Sequence, residues 1–568
     1  MAAVLGVSAH YHDAAAALVI DGQIVAAIQE ERLSRIKNDA SLPVRAMRAC
    51  LEHAQLPAGA LDAVVFYENP YAKLERILLS TLRGFPRSRR FFTRAMLSQL
   101  SSKLWVLDAL AHQLGVARER VLFREHHESH AASAFFVSPF ERAAVLCVDG
   151  VGELASTTLW RGQGAKLELL EALKFPHSLG LLYAALTAYL GFEVNDGEAK
   201  VMGLSAYGQP RFQAEFAKLL RTDAAGSFSL DLDYFDPYCA TELGFTSKLE
   251  ALLGPRRTPG KPWDLANDAR DQHYADVAST LQHVLELTML GLAQRARAAA
   301  GCEALCLAGG VALNAVANAK LARSGPLFVQ PAAGDAGGAL GAALLESLAR
   351  GDARPKRSVF SAALGPAADG GDALALAQQL GLHAQRCREP VSELAERLAR
   401  GELVALAQGR CEWGPRALGQ RSLLAAPAPS AVRERINRAV KRREDFQPFA
   451  PAVLASAAHT LFAAHAELLA PYMATVAEVL PSAREPLAAT THVDGSARLQ
   501  TVQPCTFLGE VLTELGRTTG LPAVLNTSLN GRAEPIACSA TDALHFFISQ
   551  RVDSLMVEDV LITKQKPC

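Results

Sequence analysis

The chain has 568 residues, with 57 Lys and Arg against 58 Asp and Glu, so its formal net charge is −1. That balance gives no overall electrostatic drive toward nucleic acid or an anionic membrane, and neither is expected as a partner. Hydrophobic residues make up 50% and charged residues 20%, which excludes overall disorder and allows more than one large core.

The N-terminal stretch MAAVLGVSAHYHDAAAALVI has no basic leader and carries His10, His12 and Asp13, so it does not read as a signal peptide. Within it Val4–Val7 and Ala14–Ile20 read as strands, closed by the Asp21-Gly22 turn. The same form returns at Val145–Val148, Asp149-Gly150-Val151-Gly152, Ala155–Trp160 and Arg161-Gly162, which points to an internal duplication. Helical periodicity marks residues 42–55, 106–118, 180–190 and 273–299. Ala304–Leu307 reads as a strand running through Gly309-Gly310 into a helix, a place where backbone N–H groups can face an anion. Leu327–Val329, a loop to Asp335 and a small-residue helix repeat that form. Turn-rich sequence near 350–372 places the boundary between a domain of residues 1–353 and one of residues 354–568. No apolar run approaches the roughly 20 residues of a membrane-spanning helix. The ten cysteines contain no CxxC pair and read as reduced thiols, so a cytoplasmic protein is expected.

Several clusters can carry chemistry. In His126-His127-Glu128-Ser129-His130, a helix would put His126 and His130 on one face, at the spacing two imidazoles need to reach one metal. The alternative is a solvated helix end. Asp149 and Asp335 each follow an apolar strand, where strand ends of open α/β sheets meet ligands; capping a turn or helix is the plainer role. Two imidazoles and two carboxylates suit Fe(II), Mn or Zn more than Ca. Three glycine turns, at 149–152, 308–310 and 334–338, could cradle phosphates, and there is no P-loop signature. Lys200 lies in the charged run NDGEAK and suggests an anion contact or a solvated loop. In the later domain Arg416 and Arg421 flank glycine turns, and Arg433, Arg435, Arg438, Lys441, Arg442 and Arg443 crowd one stretch. Arg498 and the loop Asn526-Thr-Ser528-Leu-Asn530 add donors of the kind a triphosphate or acyl phosphate needs. Five arginines between Arg83 and Arg94, interleaved with Phe85, Phe91 and Phe92, read as a helix–helix or homodimer contact ahead of an RNA surface.

Taken together, LGVSAHYHDAAAAL, HHESHAASAFF, NDGEAKVMGLSAYG, AGGVALNAVANAKL, GDAGGALGAAL, EWGPRALGQRSLLA, KRREDFQPFAP and LNTSLNG resemble the O-carbamoyltransferases of antibiotic biosynthesis and nodulation over nearly the whole chain. The resemblance implies an α/β architecture: an actin/Hsp70/sugar-kinase-like duplicated domain, similar to the tRNA-threonylcarbamoylation transferase, followed by a YrdC-like α/β domain. It implies that carbamoyl phosphate and ATP, with Mg accompanying the ATP, form carbamoyl-adenylate in the second domain. The first domain would then pass the carbamoyl group to a hydroxyl of a small molecule. Carried over by position, His126, His130, Asp149 and Asp335 would ligate a divalent metal, with Fe(II) ahead of Zn or Mn. Gly309, Gly310 and Asn314 would border the nucleotide. His12 and Asp13 would lie near the transferred group, and Asp231 near the acceptor. Arg416, Lys441, Arg443, Arg498, Ser528 and Asn530 would hold phosphates, with Lys441 and Arg416 acting in catalysis, and Lys200 and Asn526 would also touch cofactor. Enclosing both steps in one chain would protect a water-labile intermediate. Variable loops including residues 70–105 and 205–260 would set the acceptor pocket. A threonylcarbamoyl-adenosine-type tRNA-modifying enzyme and a non-catalytic nucleotide-binding regulator are the competing readings.

Overall fold

The computed structural model describes residues 2–223, 226–238, 243–355, 360–464 and 466–564. They form two compact units, Met1–Ala27 with Ala40–Phe360, and Ile28–Asp39 with Ser361–Cys568.

The first unit is built twice from one plan. Strands β1 (Ala3–Ser8), β2 (Ala15–Ile20) and β3 (Gln23–Gln29) form a meander, and β1 then pairs in parallel with β4 (Ala63–Phe66), which pairs with β5 (Val121–Phe123). The order is β3-β2-β1-β4-β5. The second half repeats it. Strands β6 (Arg142–Val148), β7 (Ala155–Gln163) and β8 (Lys166–Lys174) are antiparallel, and after a small hairpin of β9 (Leu220–Thr222) and β10 (Phe228–Leu230), β6 pairs in parallel with β11 (Leu305–Ala308), which pairs with β12 (Leu327–Val329). That sheet runs β12-β11-β6-β7-β8. Two sheets of matching order and strand direction make this the duplicated α/β fold of actin, Hsp70 and the sugar kinases. The central strands β1, β4 and β11 are buried along their whole length, so they carry continuous apolar runs. The edge strand β8, KLELLEALK, carries charges and stays largely exposed.

Two helices position the later chemistry. His126–Phe135 follows β5, and Asp335–Ala349 follows β12. They cross in near-contact, because an added Cβ at Gly341 would fall 1.8 Å from the Ser129 carbonyl oxygen. Only glycine permits that approach. Residues 70–105, expected as a variable loop, fold largely as helices Pro70–Gly84 and Arg89–Ser101. Asn69 caps the first by accepting from the Tyr71 and Ala72 amides, and Pro70 opens it.

The second unit centres on an eight-stranded mixed sheet. Its order is His383–Arg386, Val560–Thr563, Ser554–Val557, Val404–Ala407, Arg421–Ala425, Ala523–Ser528, Ala450–Leu454 and Gln500–Val502. Strand alternation divides its cores: Ala405 and Ala407 pack with helices Gly370–Gln379 and Ala540–Ser549, while Val404 and Leu406 pack with Pro390–Ala399 and Phe507–Thr519. Residues 28–39 belong to this unit, for which the boundary expected from sequence carried no signal. Arg32 is 1% exposed and donates to the Gly414 carbonyl at 2.7 Å; Arg35 donates to the carbonyls of Pro535 and Ile536. Residues 356–359 of the turn-rich boundary stretch lie outside the described residues. None of the eight described cysteines forms a disulfide. Among the described residues no helix is long and apolar enough to cross a membrane.

Candidate active site

In the first unit His126, His130, Asp149 and Asp335 converge. One ligand atom from each lies within 4.8 Å of the others, and all four residues are buried. The two Nε2 atoms are 3.0 Å apart. His126 Nε2 is 3.0 Å from Asp149 Oδ2 and 3.5 Å from Asp335 Oδ1; His130 Nε2 is 3.6 and 3.4 Å from the same atoms. Two copies of one topology supply them: Asp149 directly follows β6, Asp335 begins the helix after β12, and the histidines sit one turn apart on the helix after β5. Burial disfavours charge on His130, yet the Asp149 and Asp335 carboxylates, accepting hydrogen bonds from it, hold its imidazole up to about 9. Burial likewise works against both carboxyls, and the imidazoles outweigh it, keeping Asp149 well below and Asp335 below the usual aspartate range. The cluster therefore stabilises added positive charge, and the four residues form a group that could hold a metal ion. The Nε2 atoms of both histidines face the two carboxylates, as metal-ligating nitrogens would, while neither Nδ1 has a hydrogen-bond partner that fixes its ring's tautomer. This mixed N/O donor set fits a first-row divalent metal.

Other predicted residues of this unit fall around the cluster to different degrees. His127 turns away, bonding Thr158 Oγ1 at 2.9 Å, and burial drives its pKa to about 3. His12 Nδ1 lies 3.1 Å from Asp13 Oδ2; burial opposes its charge, while Asp13, Asp335 and Asp149 raise it to about 9. Gly310 donates its amide to Asp149 Oδ1 at 3.0 Å, so it touches a member of the cluster. Gly309 has φ 89°, and a Cβ there would sit 2.3 Å from the Val148 carbonyl oxygen. The expected direct passage from Gly309-Gly310 into a helix is broken by a 3-10 turn, Gly310–Leu313, and the helix starts only at Ala315. Asn314 caps that helix and exchanges hydrogen bonds with Gln282, so its amide is committed within the protein. Lys200 places its ammonium 5.8 Å from the Phe192 ring centroid. Asp231 lies in a turn 3.5 Å from Arg221.

The second unit assembles a contrasting centre. Lys441 is buried at the end of a π-helical turn and donates to Ser528 O at 2.5 Å and to Asn530 O and Oδ1 at 3.0 Å each; Ser528 Oγ bonds Asn530 Oδ1 at 2.6 Å. Burial and the Arg443 guanidinium push its ammonium well below the usual lysine range. Arg443 donates to Asn437 Oδ1 at 2.8 Å and stacks 4.4 Å over the Phe449 ring; burial lowers it to about 10. Burial, then Arg416 and Arg443, pushes Arg498 down, and its Nε has no partner. Among the described residues none of these four cations forms an ion pair with a carboxylate. Asn526 instead lies in the sheet, donating to Gln500 Oε1 at 2.7 Å and to Ala417 O at 3.2 Å. Arg421 is structural too, its guanidinium held by the carbonyls of Cys538, Gln408 and Gly409.

Comparison with known proteins adds the family. Residues 3–344 match the family described as Carbamoyltransferase N-terminus, and residues 395–564 match Carbamoyltransferase C-terminus. The chain belongs to the carbamoyltransferase family. This carbamoyltransferase is 41% identical over 611 residues to "Uncharacterized protein sll1178" of Synechocystis sp., covering 99% of this chain and 97% of that one. It is 38% identical over 571 residues to "Nodulation protein NolNO" of Sinorhizobium fredii, covering 98% of this chain and 79% of the relative. Among solved structures, T. kodakarensis HypF aligns at 15% identity with a TM-score of 0.33, covering 63% of this chain and 49% of that one.

The carbamoyltransferase also holds residues near the cluster that sequence reasoning missed. Glu153 Oε1 accepts from the Asn69 and His126 amides at 2.6 and 2.9 Å and so fixes the start of the histidine helix. Glu68 bonds Lys73 at 2.7 Å and lies 3.9 Å from His126 Nδ1. Tyr67 donates to Asp335 Oδ2 at 3.4 Å. The signal was present: Tyr67-Glu68 directly follows the apolar run of β4, as Asp149 directly follows β6.

Proposed function

We propose that this carbamoyltransferase is an ATP-dependent O-carbamoyltransferase acting in two steps on a small-molecule hydroxyl. In the YrdC-like domain of residues 354–568, water opens carbamoyl phosphate to carbamate and phosphate. A carbamate oxygen then displaces pyrophosphate from the α-phosphorus of ATP, giving carbamoyl-adenylate. In the domain of residues 1–353, the acceptor oxygen attacks the carbamoyl carbon. The bond from that carbon to the AMP oxygen breaks, AMP leaves with the electron pair, and the hydroxyl proton is released to solvent.

The observation that carries this reading is the cation quartet of Lys441, Arg416, Arg443 and Arg498. One buried ammonium and three half-buried guanidinium groups without ion-pair partners are costly, and a polyphosphate supplies the missing anion in the bidentate form that guanidinium groups favour. Ser528 and Asn530 hold the Lys441 ammonium in place at this centre. In the other domain His12, kept cationic by Asp13, sits where it can offset charge growing on departing AMP. Gly309 and Gly310, packed against Val148 and Asp149, would border the nucleotide. A divalent ion held by His126, His130, Asp149 and Asp335, with Fe(II) favoured over Zn or Mn, would supply Lewis-acid polarisation and a template for the adenylate phosphate.

The test separates the half-reactions. Lys441→Ala is expected to abolish pyrophosphate release from ATP and carbamoyl phosphate while still transferring from supplied carbamoyl-adenylate. His130→Ala is expected to do the reverse. Loss of the same half-reaction in both variants would overturn this division of labour, and a requirement for threonine and bicarbonate would overturn the choice of donor.

A further inference from the structure

Beside the imidazole–carboxylate cluster the first unit has a partly open cavity of about 510 Å³, within the range of small-molecule sites. Tyr11, next to His12, lines it, and so does Val151, two residues beyond Asp149. Its walls come from helices Pro70–Gly84 and Arg89–Ser101, from the first turns of helix Leu179–Tyr189, and from the chain following β10. They are mainly apolar, with Ile77, Phe91, Phe175, Leu182, Leu230 and Phe235 prominent.

Against that apolar lining stand Lys73, Arg76, Lys103 and a single carboxylate, Asp236. Lys73 is neutralised by Glu68, whose two oxygens are each 2.7 Å from its ammonium. Arg76 and Lys103 form no ion pair among the described residues; Glu68 attracts both from a distance and Glu153 attracts Arg76, but Glu68 is engaged by Lys73 and Glu153 by the Asn69 and His126 amides. The Arg76 Nε is buried without a hydrogen-bond partner, and its guanidinium lies 5.6 Å from the Phe175 ring centroid. Two half-buried cations on apolar walls are costly unless an anion meets them. A polycationic ligand would be repelled by the same pair, and Asp236 disfavours a polyanion.

Resting on the carbamoyl-transfer reading above, we propose that this cavity receives the acceptor, and that the acceptor is a hydroxylated molecule with an apolar body and one anionic group. The anion faces Arg76 and Lys103, the body lies on Phe91, Phe175 and Leu182, and the hydroxyl points past Tyr11 toward the cluster.

Direct binding to the full chain tests this without ATP or carbamoyl phosphate. The probes are 12-hydroxydodecanoate, its methyl ester and 12-amino-1-dodecanol, titrated calorimetrically. The acid is expected to bind at least tenfold tighter than the ester or the amine. Lys103→Glu should remove the preference for the acid and leave ester affinity within twofold, a pattern that a misfolded variant would not give. Ala184→Phe, which fills the cavity, should weaken acid and ester together by at least tenfold. Equal binding of acid and ester, tighter binding of the amine, no binding by any probe, or indifference to both substitutions would overturn the proposal. Pyrophosphate release by the wild-type chain reports separately on the two-step reading: release without acid binding removes only the acceptor proposal, and acid binding without release removes only the adenylate.

Discussion

Gly341→Ala tests whether the crossing of two helices builds the metal-type cluster. The new methyl carbon would lie 1.8 Å from Ser129 O, 2.7 Å from Ser129 C and 2.9 Å from Ser133 N. All three are backbone atoms of the histidine helix, so no side chain can swing aside. Real Cβ contacts essentially never fall below 3.0 Å, so the helices must part by roughly 1.2 Å. Overpacking of this kind costs about 1–3 kcal/mol, occasionally more, and the absence of any yielding atom argues for about 3 kcal/mol. Alanine's helix propensity returns only about 1 kcal/mol, so a net loss of about 2 kcal/mol is expected. The same movement separates His130 Nε2 from Asp335 Oδ1, now 3.4 Å apart on the two helices, and metal–ligand distances tolerate only about 0.2 Å. Thermal unfolding and titration with Zn(II) or anaerobic Fe(II) read both effects. A variant more stable than the parent, with unchanged metal affinity, would refute the close crossing and its role.

Other substitutions probe separate parts of the account. Asp335→Asn keeps the side-chain shape and removes one of two carboxylates facing the imidazoles; metal affinity should fall at least 100-fold by titration, with the fold retained by circular dichroism. Lys441→Met replaces a buried ammonium with an apolar chain of similar length; pyrophosphate release should vanish, while the melting temperature stays equal or rises, because a desolvated cation is removed. Arg257 and Asp271 form a buried pair at 3.0 Å, 3% and 1% exposed, with Arg257 also 3.6 Å from the Trp263 ring centroid. Arg257→Ala strands the Asp271 carboxylate and should cost about 3–5 kcal/mol in urea unfolding.

The sequence was most informative where local rules act alone. The two glycine-turn hairpins, the one-turn spacing of His126 and His130, and the positions of Asp149 directly after its strand and of Asp335 in the loop-to-helix turn after its strand all follow from short-range geometry. The duplicated sheets confirm that reading of the hairpins. Long-range pairing was much less legible. Nothing local in residues 28–39 announces that Arg32 will bury itself against the Gly414 carbonyl. The order of the eight-stranded sheet interleaves strands from residues 383 to 563 and depends on partners far apart in the chain. Helices Pro70–Gly84 and Arg89–Ser101 leave apolar side chains such as Leu82 and Leu97 exposed, so hydropathy alone does not tell which of their faces packs inward. Glu68 carried the same strand-end signal as Asp149 and was passed over, whereas the value of Glu153 lies in its contact with the amide of His126, which only the folded chain brings about.

The central claim is that one chain activates a carbamoyl group on AMP before passing it on. Rapid quenching of the wild-type protein with ATP and carbamoyl phosphate, followed by mass spectrometry, tests it most directly. The account predicts carbamoyl-adenylate together with pyrophosphate and phosphate. Formation of ADP without pyrophosphate, or carbamoyl transfer to an acceptor in the absence of ATP, would contradict it.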